Sequence, residues 1–463
     1  MGKVFTLLVI VSVAIVAVFI GKRLGQPDEV LRVPEREWFG TGEERKDDTK
    51  IEPFTIAVPE ETLKDLRRRL EQTRFFEPLE DAKNFQYGFN TNYLREVHKY
   101  WLTSYDWRRQ EATLNSFKHF KTEIEGVKVH FIHAKPPAGK YKRVLPLLLV
   151  HGWPGSVYEF YKILPLLTDP LGSKFKPFGT TDVDFAFEVI APSIPGYGWS
   201  EAPKKTGFGP IAAGRVFSKL MVRLGFQQFY CQGGDWGSII TTATAIIHPE
   251  RVLGLHLNMF MASPASNPAI IVKMVVGSFL PSLAYDAGEA PKMGFGATFL
   301  NVIKESGYMH LQATKPDTVG FSLNDSPLGL AAYILEKFSS WTHPAYKELP
   351  DGGLTRQYTL DELLTNVMIY WTSGNIASSQ RFYKECFADP NYEALDRAPV
   401  KVPVGAAAFP HELMEPQPKS IIRYKYHNLT RYTIMPRGGH FAAFEEPKLL
   451  ATDLFAFVND LHN

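Results

Sequence analysis

The sequence is poor in cysteine and carries no excess of charge of either sign. Cys231 and Cys386 are the two cysteines among 463 residues, too few for a disulfide-stabilised scaffold, and this favours a reducing compartment. The 51 Lys and Arg against 49 Asp and Glu leave a net charge of +2. Because the body of the chain also has no basic cluster, we expect no nucleic-acid partner.

Several catalytic motifs are also missing. The chain has no Gly-x-Ser-x-Gly motif, which argues against a serine esterase. The segment HELME, residues 411–415, lacks the second histidine of a zinc-protease motif, and GFGPIAAG, residues 207–214, has the wrong spacing for a dinucleotide-binding loop. The sequence therefore predicts neither a metal nor a cofactor. Aromatic residues, in contrast, are abundant: 33 Phe, 20 Tyr and 8 Trp suit a large core or a pocket for a lipophilic ligand.

One long hydrophobic run stands at the N-terminus. Val4–Ile20 has no charged residue, and as a helix it would span about 25 Å, at the short end of what a bilayer core requires. The alternative is a cleaved signal peptide, but the run is longer than the usual signal core and VFIGKRLGQP lacks a small-x-small cleavage pattern. We therefore predict an uncleaved single-pass anchor.

The charges that flank this run predict its orientation. Lys3 precedes the run, whereas Lys22, Arg23 and Arg32 follow it. The excess of positive charge after the run places the body of the protein on the cytoplasmic side of the membrane. The Asn-x-Ser/Thr sites at Asn324 and Asn428 are then expected to remain unglycosylated.

The rest of the chain has the organisation of an α/β protein. Strand-like and helix-like segments alternate from 145 to 260, which indicates a parallel sheet. After about 265 the strand signal fades and most segments are helical until alternation returns near 400, so we predict a helical lid inserted in the core. The predicted units are an anchor at 1–22, a linker and N-terminal helical extension at 23–120, core at 121–264, lid at 265–390, and core again at 391–463.

Local patterns predict several elements of the N-terminal part. The polar segment 21–50 is interpreted as a linker, and PEETLKDLRRRLEQTR has leucines at helical spacing, with acids early and arginines late. A second helix is predicted across Trp101 and Trp107. HFKTEIEGVKVHFIHAK predicts a β-hairpin that turns at Glu125 and Gly126.

The segment FYCQGGDWGSII, residues 229–240, places a single acid at a strand-to-helix turn. Gly233 and Gly237 lie two residues on either side of Asp235, the spacing of the nucleophile turn of α/β-hydrolases. Glycine is needed there because a Cβ would clash in so sharp a turn, and the helix N-terminus favours an ionised acid. The alternative is an ordinary aspartate at a helix start. A second segment, HGWPGS at 151–156, follows an apolar strand where such enzymes complete an oxyanion hole.

The backbone amides of Trp153 and Trp236 are the predicted oxyanion-hole donors, and the Trp153–Pro154 bond is a candidate for the cis form.

In RGGHFAAFEEP, His440 follows the last strand, where this fold carries its base. The acid that orients it should follow the preceding strand. Glu412 is the first acid there, 28 residues before the histidine, and Glu415 is a rival.

Three further acids, Asp389, Glu393 and Asp396, come before the preceding strand and are poorer candidates for the orienting acid.

A carboxylate nucleophile suits attack on sp³ carbon that carries a halide or an epoxide oxygen, and the resulting ester must be cleaved by water with a base and an oxyanion hole. An opening epoxide also needs a proton donor, and tyrosines of the lid are the natural candidates.

The segments GGDWGS, HGWPGS, SSQRFYKE, FPHELM, RGGHFAAFEEP and the long lid string that begins ESGYMHLQATKPDTVGF together resemble the microsomal epoxide hydrolases, which include the insect juvenile hormone epoxide hydrolases. The resemblance covers nearly the whole chain. It implies an α/β-hydrolase fold with Asp235 as nucleophile, His440 as base and Glu412 as its partner. It further implies that Tyr308 and Tyr383 are the paired proton donors.

This resemblance implies an enzyme of the endoplasmic reticulum membrane that converts lipophilic epoxides to diols without a cofactor. Its substrates would be xenobiotic arene and alkene oxides, juvenile hormone, or both. A haloalkane dehalogenase of the same fold and a non-catalytic lipid-binding relative remain the alternatives. The sequence makes no prediction of oligomeric state.

Overall fold

The computed structural model describes residues 31–180, 183–264, 266–286, 289–291 and 294–462. Within these stretches no helix is both long and apolar enough to cross a bilayer. The apolar run predicted as an anchor, Val4–Ile20, lies outside the described residues.

The described residues contain one mixed β-sheet with strand order β1-β2-β3-β5-β4-β6-β7-β8-β9. The first pairings, from β1 to β2, β3 and β5, are antiparallel, and from β5 through β4 to β9 the strands run parallel. The strands are β1 Glu52–Phe54, β2 His119–Ile124, β3 Val127–Ala134, β4 Arg143–Val150, β5 Phe185–Pro192, β6 Phe229–Gly233, β7 Val252–Leu257, β8 Val404–Ala408 and β9 Leu429–Ile434.

Helices lie between β1 and β2, cover both faces of the sheet, and fill the chain between β7 and β8. The helices of the described residues are α1 Glu60–Glu71, α2 Thr91–Thr103, α3 Trp107–Leu114, α4 Leu164–Thr168, α5 Pro210–Arg223, α6 Trp236–Ile247, α7 Ala269–Phe279, α8 Pro281–Ala284, α9 Phe295–Glu305, α10 Gly307–Thr314, α11 Pro316–Asp325, α12 Pro327–Ser340, α13 Leu360–Ser373, α14 Ile376–Ala388, α15 Tyr392–Arg397, α16 Lys419–Ile422, α17 Ala442–Glu445 and α18 Pro447–Asp460. Short 3₁₀ helices lie at Val157–Phe160, Tyr346–Glu348 and Leu354–Arg356.

The central strand β4 shows why the sheet is buried on both sides. Successive side chains of a strand point to opposite faces, and in β4 both sets are apolar. Leu148 and Val150 join one core cluster with helices α5 and α6, whereas Leu147 and Leu149 join another with α4 and α18. A continuous apolar strand of this kind is typical of a parallel sheet covered by helices on both faces, as the sequence predicts.

The predicted hairpin between β2 and β3 is confirmed, and it holds the segment that precedes α1. Glu125 and Gly126 form the turn with φ of +53° and +80°, and the Asp47 carboxylate accepts both of their backbone N–H groups at 3.0 Å. The Phe39 N–H also donates to the Glu125 carbonyl at 2.9 Å, and Trp38 and Phe39 are buried. This part of the polar segment is therefore bound to the core and does not extend away from it.

In the N-terminal extension, Leu66 and Leu70 of α1 are buried, in agreement with the predicted helical face. The prediction of one helix across Trp101 and Trp107 is wrong, because α2 ends at Thr103 and α3 begins at Trp107. The physical reason is Asp106, whose carboxylate accepts a backbone N–H from the first turn of α3 and so caps a new helix.

The described residues between β7 and β8 form helices and turns without a strand, and we keep the name lid for residues 265–390 within this segment. Helices α10 and α14 of the lid pack against each other and carry Tyr308 and Tyr383. The lid therefore delivers side chains from two helices towards the edge of the sheet where the parallel strands end.

Asp453 of α18 ties the end of the chain to two strands. Its carboxylate, which is 2% exposed, binds His256 of β7 at 3.0 Å and accepts hydrogen bonds from Arg431 and Thr433 of β9 at 2.7 Å each. Burial raises the pKa of this carboxyl, but these partners outweigh it and lower the pKa to about 2.

Asp453→Asn should lower the free energy of unfolding by about 2 kcal/mol at neutral pH. A carboxyl whose pKa is lowered by folding stabilises the protein at every pH above the pKa of the unfolded state, here 3.8. This stabilisation is lost as the pH falls towards the folded-state pKa of about 2. The gap in Tm between the wild type and the variant should therefore narrow below pH 4. Asp325→Asn serves as the control, since that side chain is 74% exposed and pairs at the surface. A gap that does not change with pH would contradict the assignment.

Candidate active site

Asp235 sits at the junction of β6 and α6 in a backbone conformation that side-chain-bearing residues rarely adopt, with φ +50° and ψ −129°. The predicted glycines are required by close contact. A Cβ on Gly237 would lie 1.9 Å from the Val150 carbonyl oxygen, and one on Gly233 would lie 2.3 Å from the Gly237 carbonyl oxygen. Strain of this kind clusters at functional sites, and here it turns the carboxylate towards the end of β4.

The HGWPGS loop that follows β4 meets this carboxylate. The Trp153 N–H donates to Asp235 Oδ1 at 2.7 Å, and the Trp153–Pro154 peptide bond is cis, as predicted. Gly152 makes room for the approach, because a Cβ there would lie 2.2 Å from Asp235 Oδ1. Trp236, the second predicted donor, is the first residue of α6; among the described residues its N–H makes no hydrogen bond to this carboxylate.

His440 and Glu412 reach the same place from the loops after β9 and β8. His440 Nε2 lies 3.4 Å from Asp235 Oδ2, and His440 Nδ1 lies 2.5 Å from Glu412 Oε1. Both side chains are nearly inaccessible to solvent, at 2% and 4% exposed. Burial alone lowers the pKa of His440, but the carboxylates of Glu412 and Asp235 outweigh it and hold this pKa well above its usual value.

The other acids considered from the sequence lie elsewhere. Glu415 lines a different cavity, between the lid and the loop after β8. Asp389 follows α14, Glu393 pairs with Arg397 within α15, and Asp396 accepts a hydrogen bond from the Ser263 hydroxyl. Of the five acids, Glu412 is the one that the structure brings to the imidazole.

Tyr308 and Tyr383 face the carboxylate from the lid side. The Tyr308 ring stacks on Trp153 with centroids 5.4 Å apart, and the Tyr383 ring meets Trp236 edge to face at 4.6 Å. The two tyrosine rings are 6.1 Å apart. Burial, together with the charge of Asp235, raises the pKa of both phenols well above the usual value. Both therefore carry their protons at neutral pH and are able to donate hydrogen bonds.

The sequence interpretation missed Glu445, which organises the histidine loop. Its buried carboxyl accepts the backbone N–H of Gly439 through Oε2 and that of Phe441 through Oε1, both at 2.8 Å. These residues flank His440, so the contacts fix the backbone that carries the base. Burial raises the pKa of Glu445 to about 8, although the two N–H donors act in the opposite direction. The available signal was an acid at the end of the apolar segment HFAAFE.

Chemically, the site offers a carboxylate with one oxygen held by a backbone amide, a histidine oriented by a second acid, and two phenols opposite. Within the described residues no cluster of three or more His, Cys, Asp or Glu could hold a metal ion. This arrangement at the carboxyl ends of β4, β6, β8 and β9 defines an α/β-hydrolase whose nucleophile position is an aspartate.

Comparisons with known proteins agree with this class. A family model described as the alpha/beta hydrolase fold matches residues 146–304, and one described as the epoxide hydrolase N terminus matches residues 51–160. The chain is 51% identical to epoxide hydrolase 1 of Sus scrofa, over 91% of this chain and 92% of that protein. It is 44% identical to juvenile hormone epoxide hydrolase 2 of Ctenocephalides felis, over 98% and 95% of the two chains.

The crystal structure of juvenile hormone epoxide hydrolase from the silkworm Bombyx mori superposes with a TM-score of 0.87 at 40% identity, covering 93% of this chain and 99% of that one. The chain belongs to the epoxide hydrolase family, which confirms the resemblance and the α/β-hydrolase fold predicted from the sequence.

Proposed function

We propose that this epoxide hydrolase converts lipophilic epoxides to vicinal diols in two steps, through an ester of Asp235. The proposal rests on the different contacts that the two oxygens of this carboxylate make. Oδ1 is held by the Trp153 N–H at 2.7 Å, whereas Oδ2 faces His440 at 3.4 Å. One oxygen is therefore positioned to hold developing charge and the other to attack.

In the first step Oδ2 attacks an epoxide carbon and the carbon–oxygen bond of the ring breaks. The ring oxygen takes a proton from the phenol of Tyr308 or Tyr383, which is protonated at neutral pH because burial raises its pKa. The product is a neutral alkyl ester of Asp235 with a free hydroxyl on the neighbouring carbon.

In the second step His440 Nε2 takes a proton from water, and the water oxygen attacks Cγ of Asp235. The Trp153 N–H stabilises the charge that develops on Oδ1. When the intermediate collapses, the departing alkoxide takes the proton from His440, and the carboxyl that remains passes its own proton to the imidazole, which restores the free enzyme. The oxygen of water is thus left in Asp235, and the diol carries an oxygen that came from the enzyme.

The charges around His440 explain how one imidazole serves this sequence. In the free enzyme two carboxylates raise its pKa. Conversion of Asp235 to an ester removes one of them, so the pKa of His440 falls, and its proton passes to the tyrosinate that the first step left. The imidazole is then free to act as a base. The Glu412 carboxylate lies beside Nδ1 and stabilises the imidazolium that forms.

For the substrate, we propose lipophilic epoxides, either xenobiotic arene and alkene oxides or juvenile hormone. The support is the aromatic wall of the site, formed by Trp153, Trp236, Trp341 and the two lid tyrosines. Relatives that match over most of the chain carry the names epoxide hydrolase 1 and juvenile hormone epoxide hydrolase. Hydrolysis of xenobiotic oxides would serve detoxification, and hydrolysis of juvenile hormone would serve hormone turnover.

For location, we propose an uncleaved anchor at Val4–Ile20 in the endoplasmic reticulum membrane, with the catalytic domain in the cytoplasm. The support is the length of the apolar run and the positive charges after it. Such an anchor would hold the site beside epoxides dissolved in the bilayer.

His440→Gln should trap the ester, because alkylation proceeds while the base that activates water is missing. After mixing with styrene oxide, intact-protein mass spectrometry should show one added substrate mass on this variant. Asp235→Ala should show none, since it lacks the attacking oxygen. An unmodified His440→Gln protein that still binds substrate would contradict the two-step scheme.

Single turnover of the wild type in oxygen-18 water completes this experiment. The two-step scheme places the label in Asp235 and leaves the first diol unlabelled, whereas direct attack of water on the epoxide would label the diol. A non-catalytic lipid-binding relative would incorporate no label into Asp235 and would form no labelled diol.

Tyr308→Phe combined with Tyr383→Phe should slow alkylation by an epoxide at least about 100-fold, because no acid remains for the ring oxygen. Stopped-flow tryptophan fluorescence measures this step directly. Tyr333→Phe is the matched control: its ring also contacts Trp153, but its hydroxyl donates to Gln312. Retained epoxide turnover in the double variant, with turnover of a haloalkane, would favour the dehalogenase alternative.

The anchor and its orientation are testable on the full chain expressed in eukaryotic cells. Asn324 and Asn428 are both exposed, so both sites would be accessible to glycosylation in the lumen. We expect a membrane-bound protein that retains residues 1–20 and carries no N-linked glycan, as peptide mass spectrometry would show. A glycan at either asparagine, or an N-terminus that begins after the apolar run, would exclude the proposed topology.

A further inference from the structure

A small cavity lies between the loop after β4, the turn at Asp235 and the histidine loop. Its volume is about 20 Å³, and its walls include Gly152, Gln232, Asp235 and His440. A volume of this size has room for one water molecule when polar partners surround it. The cavity touches both groups that the hydrolytic water must meet, the carboxyl that is attacked and the imidazole that takes the proton.

Glu159 is a further wall of this cavity and has no part in the mechanism described so far. It lies in the 3₁₀ helix Val157–Phe160, directly after the HGWPGS loop. Its carboxyl packs against Gly155, where a Cβ would lie 1.3 Å from Oε1, so glycine is required for Glu159 to reach this position. The side chain is half-buried, with part of its surface on the cavity.

The charges of the reacting groups act on the carboxyl of Glu159. Burial raises the pKa of this carboxyl to about 8, and the charges of His440 and Asp235 both act on it, in opposite directions. A backbone hydrogen bond at Ser156 acts on the same carboxyl. At neutral pH Glu159 is therefore uncharged, and it does not compete with Glu412 or Asp235 for the imidazolium.

An uncharged carboxyl offers what the water needs on the side away from His440. Its carbonyl oxygen accepts a hydrogen bond from the water O–H that is not transferred, and no lone pair of the attacking oxygen is used up. The other amides of the wall are engaged with each other, since Gln232 Nε2 donates to Asn258 Oδ1 at 2.8 Å.

We propose that this cavity is the site of the hydrolytic water and that Glu159 is a catalytic residue that holds this water by a hydrogen bond while His440 takes its proton. The inference rests on the proposed two-step function. In the step, one water O–H bond breaks with its proton passing to His440 Nε2, and the oxygen forms a bond to Cγ of Asp235. Glu159 keeps its own proton throughout.

The test compares Glu159→Leu with Glu159→Gln in single-turnover experiments on the full chain with styrene oxide, in which formation and decay of the ester are followed separately by rapid quench and mass spectrometry. Leucine removes the polar group at similar size, so decay of the ester should slow about 10-fold to 100-fold. Formation of the ester should stay within about twofold of the wild type.

Glutamine keeps an uncharged carbonyl acceptor of the same shape, so the Gln variant should retain decay within about threefold of the wild type. This rescue separates hydrogen bonding from general damage to the fold. Glu188→Leu is the matched control, because it makes the same chemical change at a half-buried glutamate that pairs with His133 and Lys135. It should leave both steps unchanged.

Two results would overturn the inference: decay of the ester at the wild-type rate in Glu159→Leu, or decay in Glu159→Gln as slow as in Glu159→Leu. A failure of the proposed function looks different, since the His440→Gln variant would then form no ester at all. Thermal unfolding of each variant confirms that the compared proteins are folded.

Discussion

The active site depends on the register between β4 and β6. Val150 and Gly233 are paired across these parallel strands, so the residues that follow them, Trp153 and Asp235, emerge side by side. The turn at Asp235 needs a left-handed φ that costs about 1–3 kcal/mol in a residue with a side chain. That cost is offset by the packing of the two strands, and the contact leaves no space for a Cβ at Gly237. The register of β4 and β6 and the strained turn together therefore fix the direction in which the Asp235 carboxylate points.

The base is held by a second, independent pair of strands. The loops after β8 and β9 are joined by a bridge between His411 and Gly439, which brings Glu412 beside the imidazole of the next residue, His440. Glu445 then closes the histidine loop by accepting the N–H groups on both sides of it. Because backbone groups make most of these contacts, the loop has little freedom to move the imidazole away from Asp235.

The sequence was sufficient for the features that local chemistry dictates. The glycine spacing around Asp235, the position of His440 after the last strand and the acid 28 residues earlier all follow from short-range pattern and chain order. Tyr308 and Tyr383 could be chosen among 20 tyrosines only by resemblance, since no local pattern marks them. Glu445 and Glu159 were missed because their burial arises from contacts between distant segments, and the helix break before Trp107 was missed because a single capping aspartate outweighed the helical pattern.

The charge balance of the site explains why two of its acids must be uncharged. Asp235, Glu412 and a protonated His440 sum to one negative charge within a nearly dry space. If Glu159 and Glu445 were also ionised, four negative charges would surround a single imidazolium, which a medium of low polarity does not tolerate. Burial raises the pKa of both acids to about 8, so they contribute hydrogen bonds without charge. Forming the ester neutralises Asp235 and leaves the negative charge on the tyrosinate, so the net charge of the site does not change. The imidazolium then passes its proton to this tyrosinate, and His440 becomes a base.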